Sequence, residues 1–157
     1  MRKTTLLAIA GTSALTMLLA GCGSSSTKKA DNAGAGAKSG KVGVILPDAT
    51  TSPRWEANDR PLLAASFKTA GITADIQNAN GDKSKFGTIC DGMINASVNV
   101  LLIVNLDSDS GSACLKKAQA AGIKTIDYDR LTLGGGASYY VSFDNVAVGG
   151  VMATGIE

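Results

Sequence analysis

Between residues 41 and 143, two kinds of pattern alternate along the chain. Short, largely apolar runs at 41–46 and 98–104, and mixed runs at 73–77, 124–128 and 139–143, have the length and β-branched content of strands. Longer segments with helical spacing separate them at 53–70, 82–96 and 110–121, the first followed by Gly71 and the third by Gly122. The second is the clearest. Phe86, Ile89, Cys90, Met93 and Ile94 recur at i, i+3, i+4, i+7 and i+8, which makes one buried stripe. Strand alternating with helix predicts an α/β fold, a parallel sheet covered on both faces in three layers. Pro61 lies inside the first helical segment and cannot bond the Ala57 carbonyl, so a kink or a break is expected there.

Ahead of this region the pattern is different. Arg2 and Lys3 precede an interrupted apolar stretch from Leu6 to Leu19, too short for a comfortable membrane span. Leu19-Ala20-Gly21-Cys22 closes it and resembles the bacterial lipobox. That resemblance implies a signal peptide over 1–21 and a mature N-terminus at Cys22 carrying lipid on its sulfur. Residues 22–40 are rich in Gly, Ser, Ala and Lys without apolar periodicity and are expected to be a flexible tether. The membrane contact is then through lipid, and several acyl chains would hold it stably.

Composition narrows the function classes. The chain has 15 basic and 13 acidic residues, and removing Arg2 and Lys3 with the leader balances them, which gives no electrostatic case for nucleic acid. Histidine is absent, so imidazole bases, the usual serine and cysteine triads and the commonest zinc ligand are excluded. Asn105, Asp107 and Asp109 with Gly111 lack the full spacing of a calcium loop, and Gly134-Gly135-Gly136 lacks the Lys-Ser or Lys-Thr of a phosphate loop. No metal or cofactor is expected.

Ligands of open parallel sheets bind beyond the carboxyl ends of the strands. Two loops there carry unusual chemistry: Arg54-Trp55 after the first strand and Asp129-Arg130 after the fourth. A carboxylate beside guanidinium donors satisfies adjacent hydroxyls, and an indole offers a flat apolar face. On spacing alone, a surface charge beside a core aromatic and a turn with an ion pair fit equally well.

With Arg54-Trp55 and Asp59-Arg60, Ala79-Asn80-Gly81-Asp82, Gly122-Ile123, Tyr128-Asp129-Arg130 and Tyr140-Val141-Ser142-Phe143-Asp144-Asn145, the chain from Lys41 onward resembles the first lobe of a type I periplasmic sugar-binding protein, nearest the D-xylose-binding group. The resemblance implies that Arg54 and Arg130 donate to sugar hydroxyls, Asp129 accepts from them and Trp55 stacks on the ring. It makes 41–143 the first lobe and 144–157 a crossing toward a second lobe, with Asp144 and Asn145 as hinge and helix cap. It also implies a strand order of second, first, third, fourth, which puts the second and third helices on one face. A Cys90–Cys114 bridge is then within reach, worth about 3 kcal/mol, while Cys90 fits equally as a free core residue.

Such proteins clamp sugar between two lobes, so the lobe is expected to be incomplete at Glu157, to expose apolar surface, to fold poorly or aggregate, and to bind sugar weakly. The implied function is a lipid-anchored receptor, outside the cell membrane in the cell envelope or periplasm, that captures a pentose or similar monosaccharide for an ABC transporter permease without catalysis. Two alternatives remain: a secreted carboxylate-dependent α/β enzyme using Asp129 or Asp107 as base, and a sugar sensor feeding a membrane receptor.

Overall fold

A computed structural model describes residues 40–156. The expected signal peptide, the lipidation site Cys22 and all of the tether but Gly40 lie outside these residues. Five strands run in parallel in the order β2-β1-β3-β4-β5, with β1 at Lys41–Leu46, β2 at Thr73–Asn78, β3 at Val100–Ile103, β4 at Lys124–Tyr128 and β5 at Tyr139–Val141. The helices are α1 (Arg60–Thr69), α2 (Lys83–Asn95), α3 (Ser108–Ala120) and α4 (Asn145–Thr154). This is the expected strand order.

Apolar side chains on both faces of β1 and β3 explain their continuous hydrophobic runs. Ile45, Leu101 and Ile103 pack against Phe86, Ile89, Cys90 and Met93 of α2 and Cys114, Leu115 and Ala118 of α3. On the other face Val42, Val44, Leu46, Leu102 and Val104 meet Trp55, with Leu63 and Phe67 of α1 partly buried against them. The α2 stripe therefore sits where its periodicity puts it. Gly43 lets α2 approach β1, since a Cβ there would lie 2.7 Å from the Met93 sulfur. Cys90 and Cys114 form a disulfide between α2 and α3, their Cα atoms 5.9 Å apart.

Carboxylates start three of the helices by accepting from an amide in the first turn: Asp82 from Lys85, Asp107 from Ser110 and Asp144 from Ala147. Asp107 also pairs with Lys83, and that hydrogen bond leads the causes that lower its pKa from 3.8 to about 2. At α2's end, Ser97 takes φ +53°, a left-handed cap that usually falls to glycine.

The first helical segment departs from regularity as Pro61 requires. Trp55–Asp59 forms a π-helical turn, with the Arg60 amide bonding the Trp55 carbonyl, and α1 begins with Pro61 in its first turn. Widening the backbone just before the proline relieves the collision between its ring and the carbonyl four residues back.

Beyond β4 the covering thins out. No α4 residue is buried, and Tyr139, Phe143, Val146, Val151, Met152 and Ile156 are exposed. Apolar surface is left open on β5 and α4, as expected.

Candidate functional site

The carboxyl ends of β1, β3, β4 and β5 bring together most of the polar residues singled out from the sequence. After β1 the chain is held by buried Asp48, whose carboxylate accepts from the Thr50 amide (3.0 Å), the Thr51 amide (2.7 Å) and the Thr51 hydroxyl (2.6 Å). Burial pushes the Asp48 pKa up, but these donors outweigh it and the net shift is down. Glu56 accepts from Arg60 and Asn78, and the Arg60 bond leads in lowering its pKa.

Arg54 occupies the centre. Its Nε donates to Asp59 Oδ2 at 2.8 Å and its Nη2 to Asp129 Oδ1 at 3.1 Å, so it joins the loop after β1 to the loop after β4. Burial works against the charge, but the two carboxylates prevail and raise the guanidinium pKa. Its Cζ lies 4.3 Å from the centroid of the Trp55 ring and 5.5 Å from that of Phe143. Trp55 is only 2% exposed and its indole N–H is buried without a hydrogen-bond partner among the described residues. The ring expected to stack on a sugar is thus a floor beneath Arg54, with no open face in this arrangement. Phe143 is the exposed ring beside the same guanidinium.

Asp129 has φ +67°, a conformation that costs a non-glycine residue energy and concentrates at functional sites. Three bonds hold it there: its amide donates to the Val141 carbonyl (2.8 Å), and its carbonyl accepts from the Tyr140 hydroxyl (3.1 Å) and the Ser142 hydroxyl (3.2 Å). Arg130 Nη1 donates to the Asn105 carbonyl at 3.0 Å, and its Cζ lies 5.5 Å from the Trp55 ring. The loop carrying Arg130 is tied down from below. Asn105 Nδ2 donates to Thr132 Oγ1 at 2.7 Å, and Thr132 donates through its amide and hydroxyl to buried Asp127 at 2.8 and 2.7 Å.

Arg54, Trp55, Asp129 and Arg130 therefore converge. Asp107 lies apart as the cap of α3 and partner of Lys83, Asp144 and Asn145 start α4, and the disulfide links two helices away from the edge. Asn105, weighed in the sequence only as part of an acidic loop, instead supports Arg130. Asp59 and Tyr128 had no assigned role, yet the Tyr128 hydroxyl donates to Asp59 Oδ1 at 3.0 Å. Burial and that bond raise the Tyr128 pKa. Hollows of about 360 and 340 Å³ lie near the amino ends of β2 and of β3 and β4, and neither gathers opposed charges. The chemistry makes the carboxyl edge the candidate site.

Residues 42–157 match the periplasmic binding protein domain. The chain is 33% identical over 122 residues to the D-xylose-binding periplasmic protein of Escherichia coli, covering 78% of this chain and 36% of that protein. It is 35% identical over 121 residues to the multiple sugar-binding periplasmic receptor ChvE of Rhizobium radiobacter, covering 76% and 34%. Among solved structures, a carbohydrate transporter solute-binding protein from Chloroflexus aurantiacus in complex with D-glucose superposes with a TM-score of 0.66 at 33% identity, over 72% of this chain and 33% of that one. An ABC transporter solute-binding protein from Clostridium phytofermentans with bound β-D-glucose gives 0.65 at 34% identity, over 69% and 33%. The chain spans about a third of the length of these curated relatives.

Proposed function

The chain belongs to the periplasmic binding protein domain family, and on that premise we propose that it is the first lobe of a sugar receptor that serves an ABC importer. The observation that carries this reading is the Arg54–Asp129 pair at the carboxyl edge, with Arg130 alongside and Trp55 beneath. Asp129 offers acceptors and the two guanidiniums offer donors, the alternation that neighbouring hydroxyls of a monosaccharide require. Asp129 Oδ2 has no protein partner among the described residues and is the acceptor left for a sugar hydroxyl. The pairs bind without catalysing, and a pentose such as xylose, or a related sugar, is the ligand class. Trp55 serves by carrying Arg54 on its face.

In the same reading, Asp144 and Asn145 mark the hinge toward a second lobe, Cys22 carries the lipid that anchors the receptor outside the cell membrane, and the permease receives the sugar. Titrating the full-length protein with pentoses and hexoses while following the fluorescence of Trp55 tests ligand class, because both arginines border that single indole. A saturable change with one sugar class and none with the others is expected. No response to any sugar, confirmed by calorimetry, overturns the reading. Labelling with a radioactive fatty acid tests the anchor: label should enter the protein and be lost in Cys22→Ala.

A further inference from the structure

Asp59 is buried and carries both carboxylate oxygens into hydrogen bonds. We infer that Asp59, delivered by the π-helical turn, is a positioning residue that fixes the guanidinium of Arg54 and so sets how tightly the site holds one hydroxyl of its ligand. The inference rests on the sugar-binding reading above and deepens it.

The argument begins with the backbone. Side chains five residues apart on an α-helix lie about 140° apart around the axis, so Arg54 and Asp59 would diverge. In a π turn the five-residue bond, here from the Arg60 amide to the Trp55 carbonyl, brings such positions into line, and Asp59 Oδ2 reaches Arg54 Nε at 2.8 Å. Pro61, just after this turn, disfavours the tighter helix that would part them. Asp59 is itself held from the sheet side by the Tyr128 hydroxyl, 3.0 Å from Oδ1, so its carboxylate is oriented before any ligand arrives.

Arg54 is then restrained on three sides: Asp59 at Nε, Asp129 at Nη2, and the Trp55 ring 4.3 Å from Cζ. Asp129 cannot do this alone. It is the candidate acceptor for ligand hydroxyls through Oδ2, and a ligand on that oxygen draws on the same carboxylate whose Oδ1 pairs with Nη2. Asp59 has no such second demand, and it keeps the long arginine side chain ordered in both the empty and the filled site. Ordering a flexible side chain in advance raises affinity by removing a cost from the binding step.

The test is a double-mutant cycle on the full-length protein, with sugar affinity measured by calorimetry and the resonance of the Arg54 Nε–H followed by NMR without ligand. Asp59→Ala should weaken binding of the preferred sugar roughly tenfold, and the same substitution in an Arg54→Ala background should weaken it no further. The Arg54 Nε–H should exchange slowly in the parent and rapidly in Asp59→Ala. Asp59→Asn guards against a folding defect, since it keeps the shape but not the charge and should give a smaller loss in the same direction. If Arg54→Ala weakens binding while both Asp59 variants bind as the parent does, or if the Nε–H signal is unchanged, Asp59 has no positioning role and the sugar reading stands. If the unsubstituted protein binds no sugar, the reading and this inference fail together. Equal losses from Asp59→Ala with and without Arg54 would show action other than through the arginine and would overturn the inference alone.

Discussion

At the scale of single residues, Asp129 separates backbone from charge. Its left-handed conformation is tolerated by asparagine nearly as well as by aspartate, so Asp129→Asn should leave the fold intact while replacing the anionic partner of Arg54 with a neutral one. Losing a hydrogen bond to a charged group should lower sugar affinity by about tenfold or more, with little change in melting temperature, as titration and thermal unfolding of the same sample would show. Asp107 speaks to pH. Its pKa is depressed to about 2 in the folded chain, from 3.8, by Lys83 and the Ser110 amide. Its stabilisation is therefore complete above about pH 4 and drains away as pH falls toward 2 and the folded carboxylate is protonated. Asp48 and Glu56 shift in the same direction and add to the acid sensitivity. Asp107→Asn should flatten the fall in denaturant midpoint between pH 4 and pH 2 relative to the parent; an unchanged slope would refute the assignment.

Elements meet at the site through close approaches that only glycine permits. A Cβ on Gly111, at the start of α3, would lie 2.8 Å from both Asn105 Cβ and Thr132 Cγ2, and those two residues are bonded to each other and cannot part freely. Gly111→Ala should cost roughly 1–3 kcal/mol and also weaken sugar binding, because the strain falls on the loop that holds Arg130. Gly92, inside α2 with open space around it, is the contrast: Gly92→Ala should stabilise by about 0.5–1 kcal/mol in denaturant unfolding and leave binding alone. Elements are also where the sequence was most legible. Strands buried on both faces read as continuous apolar runs, and the α2 stripe follows from its spacing alone. Boundaries were less legible. The third strand is Val100–Ile103 rather than 98–104: Val98 and Val104 are buried at its ends and the Val104 amide still bonds the Ile45 carbonyl, but the residue pairs with β1 and β4 run only from Val100 to Ile103. The π turn was visible only as a break at Pro61, because a five-residue register leaves no apolar period of its own. That is why Arg54 and Asp129 could be placed at strand ends in advance while Asp59, on the wrong side of an α-helix, could not. The burial of Trp55 was equally hidden, since an indole beside an arginine suits a ligand face and a core alike.

For the whole molecule, the two faces of the sheet are secured unequally. On one, the Cys90–Cys114 bridge ties α2 to α3 across 24 residues, and its reduction should lower unfolding free energy by about 3 kcal/mol. Denatured, unreduced protein should then show no free thiol from this pair, by thiol titration of a Cys22→Ala variant. On the other face Trp55 and α1 cover β1 and β3 without a covalent tie, and the β5 edge has little covering. Residues 145–156 contain no charged side chain, Val146, Val151, Met152 and Ile156 stand exposed on and just beyond α4, and Tyr139 and Phe143 on and after β5 are exposed as well. Apolar surface exposed in this way is unstable in water and gathers other apolar surface to it. The open edge of β5 adds unpaired backbone groups, a template for further strand pairing. The 157-residue chain alone should therefore associate as its concentration rises. The residues that drive association differ from those that bind sugar, so the two properties should separate. Val151→Lys with Met152→Lys places charge on the open helix, touches no buried side chain, and should lower concentration-dependent light scattering while leaving the unfolding midpoint of the sheet nearly unchanged. Equal scattering from parent and variant would locate the association elsewhere, and a large fall in midpoint would mean that α4 contributes to stability despite its exposure.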